Sequence, residues 1–189
     1  MKATCISGSQ RPNGNTASVL NEIFRALQER DIEITYHCLG EKTINYCTGC
    51  KSCYTNEKCV INDDVPGIID DLLHSGLVIM ASPSYWGDVT GQMKVFIDRC
   101  APCCAADLTR QFKNAEIKGM AVAVRAGQNK KENENLIHTF EHFLGHLNIP
   151  LISYLTVEGI DMPDDLKNKP EILKTAYDFG KSVIPLLNI

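Results

Sequence analysis

Short runs of strand length alternate with stretches of helical periodicity along almost all of this 189-residue chain. That alternation constrains the fold more than any other feature. Leu77-Val-Ile-Met-Ala81 is an unbroken apolar run, the pattern of a central strand buried on both faces. Thr4-Cys5-Ile6 (ending at Ser7-Gly8), Met120 to Val124 and Leu151 to Val157 read as further strands. Ile32, Ile34 and Tyr36 alternate with polar residues, as a half-buried edge strand does. Helical faces lie between them. Val19, Leu20, Ile23, Phe24 and Leu27 share one face of a helix over residues 15 to 30. Asp63, Asp64 and Pro66 signal the start of a second helix, whose inner face is Ile68, Ile69, Leu72 and Leu73. Met93, Phe96 and Ile97 mark a third, Leu136, Ile137, Phe140, Phe143, Leu144 and Leu147 a fourth, and Ile172, Leu173, Ala176, Val183 and Leu187 the last. Five strands alternating with five helices predict an α/β fold with a parallel sheet covered on both faces. The length, with no internal repeat or obvious linker, fits one domain over residues 1–189.

In such sheets a ligand sits beyond the carboxyl ends of the strands, at the point where the strand order reverses. The loops after strands one, three and four therefore hold the candidate residues. The first reads Ser7-Gly8-Ser9-Gln10-Arg11-Pro12-Asn13-Gly14-Asn15-Thr16 and leads into a helix N-terminus. Exposed N–H groups and the helix dipole favour an anion there. Ser9, Asn15 and Thr16 add neutral donors, Arg11 adds a charged one, and Gly8 and Gly14 allow close backbone approach. The lysine of a P-loop and the GxGxxG of a dinucleotide fold are both missing, which turns the reading away from nucleotide triphosphate hydrolysis and Rossmann-type NAD binding. The loop after strand three, Ser82-Pro83-Ser84-Tyr85-Trp86-Gly87-Asp88, places the only tryptophan and a tyrosine where a planar, half-wet ligand would lie.

These two loops, with Gln92-Met-Lys-Val-Phe-Ile-Asp98-Arg99 behind the second, resemble the NADPH-dependent FMN reductase family over nearly the whole chain. The resemblance implies a flavodoxin-like three-layer sandwich with strand order 2-1-3-4-5. It implies FMN as cofactor, with the phosphate held by the loop of Ser9, Arg11, Asn13, Gly14, Asn15 and Thr16. The isoalloxazine would be bordered by Pro83, Ser84, Tyr85, Trp86 and Gly87. The third loop, Arg125-Ala126-Gly127-Gln128, matches by position, and Gly127 is carried over from it. A homodimer or homotetramer with the flavin near a subunit interface is implied as well. Lys94 and Asp98, four apart, read as a surface pair.

Nine cysteines are many for this length. In a reducing cytosol such a count points to metal, cluster or redox chemistry rather than disulfides. Cys47-Thr-Gly-Cys50-Lys-Ser-Cys53, followed by Cys59, repeats a CxxC spacing used in iron–sulfur ligation. Zinc and a dithiol are the alternatives that the spacing leaves open. The motif's place between strand two and helix two resembles the iron–sulfur flavoproteins, a branch of the same superfamily. That implies a 4Fe–4S cluster on Cys47, Cys50, Cys53 and Cys59. Cys100, Cys103 and Cys104 form a second group, read as reduced and partly buried thiols with a redox-active or adventitious metal site as the alternative, and Cys5 and Cys38 read as core residues. His138 and His142 share ligand spacing without further metal-site character, so they read as helix surface.

The formal charge is −4, with no basic run, which speaks against a nucleic-acid partner. Apolar runs such as Leu77–Ala81 are far too short to span a bilayer, and the first residues lack a signal-peptide pattern. A cytoplasmic protein free of membrane is therefore expected. The expected function is an FMN-dependent oxidoreductase. It would pass electrons from NAD(P)H or a ferredoxin-like donor to a small acceptor, through a cluster if one is present. A cluster-free NAD(P)H-dependent FMN or quinone reductase and a flavodoxin-type electron carrier are the alternatives.

Overall fold

A computed structural model describes residues 1–56, 58–104, 116–162 and 165–187. The described elements run β1 (Lys2–Ser7), α1 (Asn15–Gln28), β2 (Glu33–Cys38), α2 (Ser52–Asn56), α3 (Val65–Leu73), β3 (Leu77–Pro83), α4 (Gly91–Arg99), β4 (Lys118–Val124), α5 (Lys130–His146), β5 (Leu151–Val157) and α6 (Pro170–Val183). The strands pair in parallel in the order β2-β1-β3-β4-β5, as the resemblance implied. No helix among the described residues is long and apolar enough to cross a membrane.

Successive residues of a strand point to opposite faces, and each face here has its own core. Ile6, Val78, Met80 and Ala121 pack with Ile68 and Leu72 of α3, Phe96 of α4, and Leu136 and Phe140 of α5. Cys5, Ile79, Ala81 and Val122 pack with Leu20, Ile23 and Leu27 of α1 and with Ala176 and Val183 of α6. Burial on both faces explains the unbroken apolar run of β3. β2, at the edge, alternates only weakly and stays half-exposed, apart from buried Cys38. Each fully buried Leu, Ile or Phe contributes about 1.5–3 kcal/mol, so the two cores dominate the stability.

Boundaries differ from expectation in three places. α1 stops at Gln28, because Asp31 turns into the left-handed region (φ 53°) and ends the helical path. α6 stops at Val183, and Ile184–Leu187 form a 3₁₀ turn. Pro185 there has no N–H and would crowd the preceding turn of an α-helix. Within the cysteine-bearing segment, α2 is an additional helix of five residues, none of them buried, too short to show a hydrophobic period.

Asp63 and Asp64 do more than signal the start of α3. Asp64 is the N-cap, and its Oδ2 accepts from Thr43 N–H at 2.7 Å. The Asp63 side chain is fully buried against Arg99, with Arg99 Nη1 donating to Oδ2 at 2.6 Å and Nη2 to Oδ1 at 3.0 Å. Asp63 also accepts from the Asn45 N–H at 2.9 Å and the Val65 N–H at 3.2 Å. Burial pushes the Asp63 carboxyl up. The Arg99 hydrogen bonds, the two backbone N–H groups and the guanidinium charge outweigh it and hold the carboxyl at about 2.

An unfolded Asp titrates near 3.9, so this pair contributes its full stability above about pH 4 and loses it as pH falls toward 2. Urea unfolding at pH 6, 4.5 and 3 should show stability falling with acid, with about 1 kcal/mol of the loss by pH 3 belonging to Asp63. Asp63→Asn should lower stability at pH 6 and flatten that dependence. An equal slope in the variant would show that the pair does not carry it.

Candidate functional site

The carboxyl ends of β1, β3 and β4 lie side by side, with Ser7 in register with Ala81 and Pro83 with Val124. Their loops are fastened to one another. The Gly8 N–H donates to Ala81 O at 2.8 Å. The Thr90 hydroxyl, fully buried at the start of α4, donates to Gly8 O at 2.7 Å and accepts from Met93 N–H at 3.3 Å. Ser82 Oγ accepts from the Thr90 N–H at 3.2 Å. A Cβ on Gly8 would lie 2.7 Å from Thr90 Oγ1 and 2.9 Å from Met93 Cβ, so only glycine fits this contact.

Beyond Gly8, the buried Ser9 hydroxyl donates to Arg11 O and accepts from Arg11 N–H, each at 3.1 Å. This turn delivers the chain to α1. α1 has Gly14 as N-cap, no capping side chain among the described residues and no acid in its first turn. α4 and α5, by contrast, are capped by Thr90 and Asn129. The first N–H groups of α1 therefore lack the side-chain acceptor that caps usually provide.

The loop after β3 forms a two-residue hairpin turn. Tyr85 and Asp88 exchange N–H···O bonds at 2.9 and 3.1 Å, with Trp86 (φ 57°) and Gly87 (φ 76°) at the tip. Two successive positive φ angles are those of a type I′ turn. Trp86 is fully exposed there and Tyr85 half-exposed.

One cleft gathers Ser9, Arg11, Gly14, Asn15 and Thr16 from the first loop with Pro83, Ser84 and Tyr85 from the second. Val124, Arg125 and Ala126 at the end of β4 complete it, with Ile160 and Asp161 beyond β5. Asn13, Trp86, Gly87 and Gly127 belong to the same loops but do not line the cleft. Ile160 and Asp161 were not foreseen. Their one sequence signal is a position just past the carboxyl end of the last strand. Asn15 Nδ2 donates to Met162 O at 3.1 Å, which brings this segment over the first loop. Its turn is held by Asp165, whose carboxylate accepts from the N–H groups of Asp161 (2.7 Å) and Met162 (2.8 Å), and these hold it below the usual range. The Arg125 guanidinium pairs with Glu132 at 2.5 Å and donates to Asn129 O at 2.6 Å, while its buried Nε has no hydrogen-bond partner among the described residues. Neutral donors, an uncapped helix start, two arginines and an apolar wall of Pro83, Val124 and Ile160 suit a ligand that is anionic at one end and planar and part apolar at the other.

Cys47, Cys50, Cys53 and Cys59 border a second, smaller hollow, together with Thr48, Lys51, Ile61, Asp98, Arg99 and Pro102. Gly49 (φ 65°) and Lys51 (φ 61°) both take left-handed backbone, which curls the segment around it. Cys47 and Cys50 are exposed, Cys53 and Cys59 half-buried. The Ser52 N–H, with the Ser52 and Thr48 hydroxyls, holds the Cys50 thiol below its ordinary value. Among the described residues no three His, Cys, Asp or Glu side chains converge closely enough to hold a single metal ion. The donor set is nevertheless of cluster type, with four thiols on one hollow beside a buried cation.

The second cysteine group is core-like at two of its three positions, with Cys104 half-buried. Cys100 and Cys103 are buried, and burial, with neighbouring Cys103, pushes the Cys100 thiol well up. Cys104 lies 3.9 Å from His146 Nδ1. Cys5 and Cys38 are buried strand residues. His138 pairs with Glu141 on the surface of α5 at 3.4 Å, and Lys94 pairs with Asp98 on the surface of α4.

The family model described as NADPH-dependent FMN reductase matches residues 1–158. An iron–sulfur flavoprotein of Methanocaldococcus jannaschii is 34% identical over 195 residues, covering 100% of this chain and 98% of that protein. A Bacillus subtilis protein named as an NAD(P)H-dependent FMN-containing oxidoreductase is 30% identical over 178 residues, covering 93% and 94%. The solved structure of an NAD(P)H:quinone oxidoreductase from Methanothermobacter marburgensis shares the fold, with TM-score 0.72 at 13% identity over 97% of this chain and 98% of that one.

Thr90 carries the contact that joins the loops of this cleft. Thr90→Val keeps the shape but strands the Gly8 carbonyl and uncaps α4, so it should cost about 1–3 kcal/mol. Urea denaturation checks this, and a variant as stable as the parent would show that the hydroxyl is dispensable.

Proposed function

The chain belongs to the NADPH-dependent FMN reductase family and is a flavin-dependent oxidoreductase, and from that premise we propose how its cleft and its cysteine hollow divide the work. The cleft binds FMN. The observation that carries this is the uncapped start of α1, set among Ser9, Arg11, Asn15 and Thr16. These residues, with the backbone of Asn13 and Gly14, hold the phosphate. Pro83, Ser84 and Tyr85 border the ring system on one side and Gly127, beside Arg125, on the other. Trp86 and Gly87 form its outer rim. Bound there, FMN supplies both hydride acceptance and one-electron transfer. The protein's part is to anchor the phosphate, to shield one ring face with Pro83 and Tyr85, and to leave the other open to a nicotinamide donor.

Cys47, Cys50, Cys53 and Cys59 hold a 4Fe–4S cluster in this reading, so that electrons from NAD(P)H or a ferredoxin-like donor reach a small acceptor. The relative in M. jannaschii, matched along its whole length, supports it by name. Trp86, fully exposed beside the cleft, is the contact we assign to a homodimer or homotetramer. Nine cysteines in 189 residues, four of them gathered on one hollow, suit a reducing compartment such as the cytoplasm. A cluster-free NAD(P)H-dependent reductase is the second reading, and the open arrangement of the four thiols favours it.

Purification without oxygen, followed by an absorption spectrum and iron and sulfide assays, tests both. The expected result is flavin absorption over a broad shoulder, with about four iron per chain. Serine substitution of Cys47, Cys50, Cys53 or Cys59 should remove the iron, and Cys104→Ser should not. Arg11→Ala should weaken FMN binding about tenfold or more, the loss of a charge-assisted hydrogen bond. Flavin without iron leaves the cluster-free reductase. A chain that takes up no FMN overturns the assignment of the cleft.

A further inference from the structure

We infer that Arg99 is the positioning residue of the cysteine hollow, and that it gives its remaining N–H and its charge to the thiolate of Cys59, raising the reduction potential of the cluster. The inference rests on the cluster reading above.

The donor inventory of Arg99 leads there. A guanidinium has five N–H donors. Nη1 donates to Asn45 O at 2.8 Å and to Asp63 at 2.6 Å, and Nη2 to Asp63 at 3.0 Å and Ile61 O at 3.5 Å. These four bonds use the Nη groups and leave Nε, which is buried and has no hydrogen-bond partner among the described residues. A buried cationic donor without an acceptor is costly and calls for an explanation. Cys59 is the thiol at issue, two residues before Ile61, whose carbonyl Arg99 Nη2 holds. Cys59 and Arg99 both border the hollow that Cys47, Cys50 and Cys53 share. A thiolate sulfur on Cys59 is the acceptor that the arrangement lacks.

The other bonds of Arg99 have a meaning in the same place. Asn45 precedes Cys47 by two residues, and Ile61 follows Cys59 by two. By taking both carbonyls, Arg99 clasps the two ends of the cysteine segment to the end of α4. Asp63 engages only the Nη groups, so the pair is fixed with Nε free for the sulfur. The other acid on the hollow, Asp98, is already paired with Lys94. Hydrogen bonds to cluster sulfurs and nearby charge are among the determinants of cluster potential. A cation beside a thiolate ligand favours the reduced, more negative state.

The test uses the full chain purified without oxygen, as the parent and as Arg99→Gln, Arg99→Lys and Asp63→Asn. Iron, sulfide and flavin are assayed first, and then the cluster and FMN midpoint potentials are measured by spectroscopically monitored redox titration. Arg99→Gln should shift the cluster's oxidised-to-reduced ratio at fixed potential at least tenfold toward oxidised, a fall of about 59 mV for one electron. Arg99→Lys keeps the charge without the Nε–H and should fall by less. Asp63→Asn removes a negative charge and spares Arg99, so its cluster potential should be no lower than the parent's even though it melts at a lower temperature. The FMN potential should hold in all three. Parental cluster potentials in both Arg99 variants would overturn the inference, and so would a fall in Asp63→Asn as large as that in Arg99→Gln. If Arg99→Gln does not fold, the Arg99→Lys and Asp63→Asn potentials decide by their opposite order. A parent with flavin but no iron fails the cluster reading, and the inference with it, and is recognised before any variant is titrated.

Discussion

The parallel pairing of β1 with β3 is the constraint on which the rest of the structure depends. The two strands end in register, yet the chain leaves Ser7 for α1 on one face of the sheet and Pro83 for α4 on the other. Helices diverging from adjacent strand ends leave a crevice that neither can fill. Everything in the candidate site follows from that divergence: a helix start facing open space, a loop of small donors leading to it, and a hairpin tip standing opposite. The covalent chain cannot bridge the gap, so Thr90 does, by bonding to Gly8 from the first turn of α4.

α4 joins the two candidate regions. Its first turn fastens the first loop of the candidate cleft through Thr90, and its last residue, Arg99, clasps the cysteine segment. Nine residues of α-helix are about 13 Å long and nearly rigid. One short helix thus fixes the spacing between cleft and hollow, while each end spends its buried polar group on a loop from elsewhere in the chain. Since both ends are buried, the helix cannot shift toward one region without breaking bonds in the other.

Much of this was legible in the residues. The strands and the five long helices follow from hydrophobic periodicity, and the loops after β1 and β3 from strand ends that open into small donors and aromatics. What escaped has a common physical cause. Asp63 looked like one more acid at a helix start, because only the fold brings Arg99, thirty-six positions along, against it. Ile160 and Asp161 carry no motif and reach the cleft only because β5 ends beside β4. α2 is too short for a period, and its side chains meet no core to enforce one. Trp86 stands at the tip of the type I′ turn, outside the lining of the cleft, a position set by the turn's backbone and not by its neighbours in sequence. Local pattern reports burial well and long-range partners poorly.

The nine cysteines make the same point chemically. Spacing already separates the repeated CxxC of Cys47-Cys50-Cys53 from Cys100-Cys103-Cys104, but it gives no physical reason for the difference. The fold gives them opposite surroundings. Cys100 is packed into the core beneath α3 and α4, where burial favours the neutral thiol and makes it a small apolar side chain. Cys50 stands in the open on a left-handed turn, where the Ser52 N–H and two hydroxyls favour the thiolate. A thiolate is the form that binds metal or attacks a disulfide. Cys50 is therefore the more reactive thiol and Cys100 the more inert, a distinction set by solvation and hydrogen bonding rather than by the interval between cysteines.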